Sequence, residues 1–404
     1  MTNGATSERE GPQDRAMRFL TDAGRGPVRV CGVGATNFRA FREVTFQPHP
    51  LTAIVGANAA GKSSVIDLFR FVSDSLRLSL YTALERRGGL RAVRHTSPTR
   101  PRNCRIWIEL EYPSEYRALY SFRIRSGPEG SYTVAEEECR LTQRGEVIAR
   151  LALKDGRVTD LRSIMQFATP SREGALRIDS AALGLPLFGV LELSPVLDTL
   201  RDLRVYSIVP DKLRELQDPD EGVELLSDGS NAASVLRHLD PSDRTDLVEM
   251  LGHVVPGIDD VKVVGHGNKL TLEFKQRAGN SRNTFEALQM SDGTLRLLGI
   301  LLALYQRDTP GFLAIEEPEA TIHVAALQAL MEVFEARSDM SQIVLTTHSS
   351  EILDSIDPDS IYLVTAADGH STLSTLAESS KRAVQEALFS PGELLRSGAL
   401  EPEA

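Results

Sequence analysis

The segment Gly56-Ala57-Asn58-Ala59-Ala60-Gly61-Lys62-Ser63-Ser64 constrains this chain more than any other, because it satisfies G-x-x-x-x-G-K-S. The apolar run Leu51 to Val55 leads into it. Val65, Leu68, Phe69, Val72 and Leu76 follow at helical spacing, with Gly88-Gly89 as the stop. Strand, glycine loop and helix therefore come in the order that a phosphate-binding loop requires. Gly56 and Gly61 are expected to take turns closed to other residues and to aim backbone N–H groups at phosphates, helped by the positive end of the helix. Lys62 would neutralise the β and γ phosphates, and the Ser63 hydroxyl would ligate Mg²⁺.

The rest of the chain reads as an α/β core split in sequence. Val28, Val30, Phe38, Phe41, Val44 and Phe46 suggest short strands around a turn, and alternating strands follow from Arg105 to about Val147. Residues 176–255 are mixed and partly helical in pattern. Val261 to Val264 and Leu270 to Phe274 meet around Gly265-His266-Gly267-Asn268 as a hairpin. A nearly all-apolar helix spans Leu295 to Tyr305, Phe312 to Ile315 is a buried strand, and Thr321 to Arg337 is an amphipathic helix. Ile343 to Leu345 and Ile361 to Val364 complete the apolar runs. Strands alternating with helices on both flanks of a strand-rich insertion imply a nucleotide-binding fold with five parts. These are a mobile tail (1–26), an N-terminal half of the core (27–115), a strand-rich and helical insertion (116–285), a C-terminal half (286–376) and a C-terminal extension (377–404).

Composition narrows the function classes. Of 404 residues 41% are apolar and 25% charged, so most of the chain has the means to bury a core. The polar residues Met1 to Gly26 lack the apolar core of a secretory leader, and no apolar run approaches the length of a membrane span, which gives a cytoplasmic, non-membrane expectation. Cys31, Cys104 and Cys139 form no C-x-x-C pair and read as core residues. A net charge of −11 opposes general polyanion coating and leaves room only for a local basic groove.

Three further segments carry chemistry. Glu316-Glu317-Pro318-Glu319 closes the strand Phe312 to Ile315, and carboxylates there are costly to desolvate without a cation or a proton. Alone, the segment reads equally well as a solvated acidic turn. Beside a metal–phosphate loop, Glu316 would hold Mg²⁺ and Glu317 would polarise the attacking water. His348 ends the run Ile343-Val344-Leu345-Thr346-Thr347; a lone histidine there is more often structural than functional. Met290-Ser291-Asp292-Gly293-Thr294 precedes the apolar helix and by itself is an ordinary N-cap.

Taken together and in order, these residues resemble the ABC-type ATPase heads of the RecF, SMC and OLD group, most closely the AAA_21 bacterial ATPases. The opening N-F-x-x-F motif appears as Asn37-Phe38-Arg39-Ala40-Phe41, and the Walker A loop as Gly56 to Ser64. The resemblance implies ATP and Mg²⁺ as cofactors. Gly56, Asn58, Gly61, Lys62, Ser63 and Ser64 would cradle the phosphates, Ser63 and Glu316 would bind metal, and Glu317 with the switch histidine His348 would be catalytic. It also implies that Ser291 and Gly293 form an ABC signature reaching the γ-phosphate held by a second subunit, so that a homodimer closes around two ATP molecules. The chain departs from the pattern in three places. Glu316 stands where aspartate is commoner, Ala320-Thr321-Ile322-His323-Val324 lacks the proline that relatives place after the histidine, and only Gln143 and Gln166 offer themselves as a Q-loop glutamine.

Biological expectations follow from the same likeness. No acidic TOPRIM-type cluster follows His348, so an associated nuclease would be a separate polypeptide. Arg86, Arg87, Arg91, Arg94, Arg100, Arg102 and Arg105, with Trp107 beyond, form a stripe able to contact DNA phosphates, although arginine is the default cation throughout this chain. Asp228-Gly229-Ser230-Asn231 reads as a helix N-terminal turn without chemistry. The expected function is an ATP-dimerising ATPase that controls an effector or DNA in anti-phage defence. The alternatives are a RecF-like DNA-repair ATPase and, less favoured, an ABC transport subunit.

Overall fold

The computed structural model describes residues 12–23, 26–96, 103–162, 176–189, 191–278 and 281–403. The chain divides into two compact units, one made of Met1–Gln47 and Phe71–Asp202, the other of Pro48–Arg70 and Leu203–Ala404. These divisions fall at points other than the sequence boundaries at 115, 285 and 376. Among the described residues no helix is long and apolar enough to cross a membrane.

The first unit is built on antiparallel strands in the order Arg157–Arg162, Glu146–Lys154, Tyr132–Gln143, Tyr116–Ser126, Asn103–Tyr112, Arg29–Phe38 and Phe41–Phe46. Period-2 alternation explains one buried face, with Ile106, Ile108 and Leu110 on one strand and Tyr120, Phe122 and Ile124 on its neighbour. The opposite face is charged, and its arginines pair with nearby carboxylates: Arg150 with Glu138 and Asp160, Arg123 with Glu136, and Arg117 with Glu111. Gly34 lies opposite Trp107, whose indole comes within 2.5 Å of where a Cβ would stand, so only glycine admits the ring.

Part of the expected mobile tail is a packed helix. Residues Pro12–Asp22 form it, and Phe19 is fully buried with its ring 5.0 Å from both Tyr112 and Tyr116. The tail's polar residues outnumber its apolar ones, but the Phe19 ring, the Tyr116 hydroxyl donating to the Arg15 carbonyl and the Arg15–Glu146 ion pair hold the helix. Gln143 is also in this unit. Its side-chain amide donates to the Ser114 carbonyl at 3.0 Å, which makes it a turn brace; Gln166 lies outside the described residues.

The second unit holds a mostly parallel sheet in the order His370–Thr375, Ile361–Ala367, Leu51–Gly56, Gln342–Thr347, Phe312–Glu316 and Leu203–Tyr206, of which only His370–Thr375 pairs antiparallel. Its central strands, Leu51–Gly56, Gln342–Thr347, Phe312–Glu316 and Ile361–Ala367, are near-continuous buried runs, as expected when both faces are covered. The helix Lys62–Arg77 leaves the loop after Leu51–Gly56, and Phe69 on it stacks on Phe312 with centroids 4.3 Å apart. The apolar helix covers Asp292–Tyr305 with all residues from Leu297 to Tyr305 buried. The amphipathic helix starts later than its periodicity suggests, at Val324, because His323 is its N-cap and its ring accepts from the Ala325 N–H.

The expected hairpin forms from Ile258–His266 and Lys269–Ala278, and a third strand, Ser281–Glu286, pairs beyond it as an exposed edge. The D-G-S-N segment does precede the helix Ala232–His238. Its Asn231 side chain does not cap that helix; it donates to Asp220 and the Glu224 carbonyl and accepts from the Leu226 N–H, fastening the preceding loop.

The Phe69–Phe312 contact joins the phosphate-loop helix to the strand carrying Glu316. Phe69→Ala should cost about 3–5 kcal/mol through cavity formation, read as a lowered urea midpoint at unchanged slope. A loss below about 1 kcal/mol would mean that this stack does not anchor the helix.

Candidate functional site

Strand register brings the sequence motifs to one edge of the second unit. Thr347 pairs with Val55, Glu316 with Thr346, and Val364 with Gly56, so the chain leaves three neighbouring parallel strands at one level. The loop after Gly56, the acidic turn after Glu316 and the histidine after Thr347 therefore open side by side, at the carboxyl ends where α/β sheets bind ligands.

The two loop glycines serve different purposes, and one expectation is corrected. Gly61 has φ +117°, a left-handed conformation suited to glycine, and Ala59 also sits at φ +62°. Gly56 is the last residue of its strand and has no positive φ. It is required for closeness: a Cβ there would lie 2.4 Å from the Val364 carbonyl oxygen. From the far side the Ser371 hydroxyl donates to the Ala60 carbonyl. Asn58 and Ser63 are exposed, and Ser64 is half-buried at the start of the helix Lys62–Arg77.

Lys62 is 6% exposed. Its ammonium donates to the Gly56 carbonyl at 2.9 Å and the Ala57 carbonyl at 3.2 Å, and lies 2.6 Å from His348 Nε2. With the ring neutral and its hydrogen on Nδ1, Nε2 is the acceptor. Burial pushes the Lys62 pKa down, and Glu317 and Glu319 oppose that shift. Nε2 of His348 is also 3.4 Å from Glu317 Oε1. Lys62, Glu317 and His348 thus form one contiguous cluster.

The three carboxylates of the acidic turn have separate environments. Glu316 is largely buried, which raises its pKa, while the Arg70 guanidinium at 3.1 Å lowers it and Asp67 and Glu317 add to the rise. Glu317 is half exposed on a backbone at φ +45°, held there by its N–H donating to the Thr346 carbonyl at 3.0 Å. A non-glycine residue in that conformation stores strain, as residues at functional sites often do. Glu319 turns away and accepts from the Thr347 hydroxyl and the His348 N–H.

Ser291 is exposed and caps the helix Asp292–Tyr305, accepting from the Thr294 N–H at 3.2 Å. Asp292 pairs with Arg214, and a Cβ on Gly293 would stand 2.4 Å from the Thr321 carbonyl. The signature turn therefore packs on the turn after Glu319. No described hydrogen bond or ion pair joins it to the Gly56–Ser64 loop.

Sequence reasoning missed Arg70, Arg296 and the part played by Glu319. Arg70 had a usable signal, since it interrupts the apolar-rich run Val65-Ile66-Asp67-Leu68-Phe69-Arg70-Phe71-Val72, where a cation needs a reason. Arg296 on the signature helix has its pKa lowered by burial, against the pull of Glu317, Asp292 and Glu319. In the arginine stripe, Arg87 pairs with Asp74 and Arg94 donates to Ser126. Arg86, Arg91 and Arg105 are exposed, and Arg100 and Arg102 lie outside the described residues.

Comparison with known proteins agrees with this geometry. Residues 51–173 and 194–354 match the family AAA_21, described as "AAA domain, putative AbiEii toxin, Type IV TA system". The chain belongs to this family. Solved structures similar to this AAA_21 chain are SMC heads. One is the SmcHead bound to the C-winged helix domain of ScpA, with 14% identity, a TM-score of 0.55, and 88% of this chain and 99% of that chain covered. Another is the Smc head domain with an extended coiled coil bound to the C-terminal domain of ScpA from Pyrococcus furiosus, at 13% identity and a TM-score of 0.54, covering 89% and 99%. A third, with a coiled coil and joint from Pyrococcus yayanosii, has 13% identity and a TM-score of 0.50, covering 90% and 100%. At such identities they show the fold, that of a P-loop ATPase head of the SMC type. No curated protein matches the sequence.

Gly56→Ala would force the Val364 carbonyl to move. The expected outcome is a loss of about 1–3 kcal/mol and of affinity for a fluorescent ATP analogue. Wild-type stability together with wild-type affinity would contradict the close approach.

Proposed function

We propose that this AAA_21 ATPase hydrolyses ATP with Mg²⁺ at the Lys62–Glu317–His348 cluster. The observation that carries the reading is the position of His348 Nε2, 2.6 Å from Lys62 Nζ and 3.4 Å from Glu317 Oε1, at the strand ends where the phosphate loop begins. Gly56, Asn58, Gly61, Lys62 and Ser64 would hold the phosphates. The donor set suits Mg²⁺, since Ser63 and Glu316 would supply the hard oxygen ligands that this ion prefers. The metal would neutralise charge developing on the phosphoryl oxygens.

Glu317 is the carboxylate with room to act. It would take a proton from the attacking water as the water oxygen bonds to the γ-phosphorus and the bond to the β–γ bridging oxygen breaks, giving ADP and phosphate. His348 would hold the γ-phosphate side of the site. Glu316 would exchange its ion pair with Arg70 for the metal.

In this reading Ser291 and Gly293 complete the site of a second copy, so ATP closes a homodimer and hydrolysis reopens it. The exposure of Ser291 at the start of its helix leaves that side open to a partner, which supports this reading. A cycle of closing and reopening would control a separate effector, such as a nuclease, in anti-phage defence. The family's toxin–antitoxin description and the ScpA-bound heads among similar structures are its support.

Glu317→Gln keeps shape and loses the base, so ATP binding should persist while kcat falls about 10²–10⁴-fold, measured as phosphate release beside equilibrium binding. Turnover at the wild-type rate would remove Glu317 from the chemistry. Ser291→Arg separates a cap from a site completed in trans. As a cap alone the loss is about 1 kcal/mol with turnover kept. In trans, monomers still bind ATP but fail to dimerise or turn over. Light scattering with Mg-ATP decides, and dimerisation like wild type would rule out the trans role.

A further inference from the structure

We propose that Glu319 positions His348, making it a positioning residue for the hydrolytic step, a role that rests on the ATPase reading above. Its Oε1 accepts two hydrogen bonds, from the Thr347 hydroxyl at 2.8 Å and from the His348 N–H at 2.7 Å. The Thr347 hydroxyl oxygen in turn accepts from the Ser349 N–H at 2.9 Å, and Ser349 caps the helix Ser350–Asp354. One carboxylate oxygen therefore fixes the backbone on both sides of the histidine.

The same geometry excludes Glu319 as an alternative general base. Its Oε2 is buried and has no hydrogen-bond partner among the described residues, so neither oxygen of the carboxylate is presented to solvent. Glu317, two residues earlier, is half exposed and lies beside the His348 ring. The two acids divide the work: Glu317 faces the reacting atoms, and Glu319 holds the group opposite them. Gly293 packs on Thr321 at the end of the same turn, and Arg296 feels the charge of Glu319, so the brace also adjoins the signature helix.

Charge and position are separable here because both bonds fall on one oxygen. In Glu319→Gln the amide oxygen can accept both, whereas Glu319→Ala loses both. The expected result is that Glu319→Ala lowers kcat by about 10²-fold with KM for Mg-ATP unchanged, because a ring misplaced by about 1 Å suffices for such a loss. Glu319→Gln should recover kcat to within about threefold of wild type. Hydrogen exchange read by mass spectrometry should quicken about tenfold or more at the His348 and Ser349 amides in Glu319→Ala and stay near wild type in Glu319→Gln.

A Glu319→Gln variant as inactive as Glu319→Ala would overturn the proposal, because the negative charge would then be what the site uses. Unchanged exchange or unchanged kcat in Glu319→Ala would overturn it equally. Should Glu319→Ala fail to fold, Thr347→Val removes one of the two bonds, and a kcat at the wild-type level would then count against the brace. If the wild-type protein shows no hydrolysis that Lys62→Ala abolishes, the ATPase reading fails. The exchange comparison would still decide whether Glu319 holds the turn.

Discussion

The second unit depends on how closely the backbone of Gly56 approaches that of Val364. Gly56 ends its strand paired with Val364, and a Cβ there would lie 2.4 Å from the Val364 carbonyl oxygen, so the strand reaches this level only with glycine as its last residue. With that contact made, the strand Leu51–Gly56 is held between Ile361–Ala367 and Gln342–Thr347, and the loops at its end are fixed relative to one another. The Lys62 ammonium then finds the loop's own carbonyls, and burial of this cation is tolerable because three acceptors surround it.

Much of the fold and the site could be read from the residues. The phosphate loop announced itself by spacing, and the apolar runs at 312–315, 343–345 and 361–364 marked strands of the parallel sheet, because strands buried on both faces keep a continuous apolar signal. Reading Glu316, Glu317 and His348 as neighbours required the order of the whole motif set, since nothing local to a histidine reports which strand lies next to its own. The reason for Gly56 was not legible. A glycine needed for closeness and a glycine needed for positive φ look identical in sequence, and only the Val364 carbonyl distinguishes them.

Other features escaped for related reasons. Glu319 belongs to the same acidic run as Glu316 and Glu317, and a run of like residues hides that each faces a different neighbour: an arginine, an open cleft and a backbone turn. The helix Pro12–Asp22 was missed because composition averages over a segment, while two of its residues, Phe19 and Arg15, make the contacts that hold it. The arginine stripe shows the converse, since Arg87 and Arg94 have partners within the first unit that sequence proximity could not foresee.

The small sheet of the second unit ends in Ser281–Glu286, a strand whose outer hydrogen-bonding edge has no neighbour in that sheet among the described residues. An open edge is a template on which another extended chain can add itself, and long apolar edges promote aggregation. Here the edge is short and its residues are Ser281, Arg282, Asn283, Thr284, Phe285 and Glu286, of which only Phe285 is apolar. Polar and charged side chains on so short an edge disfavour edge-to-edge addition of another strand. Such an edge resists polymerisation through this sheet at high concentration.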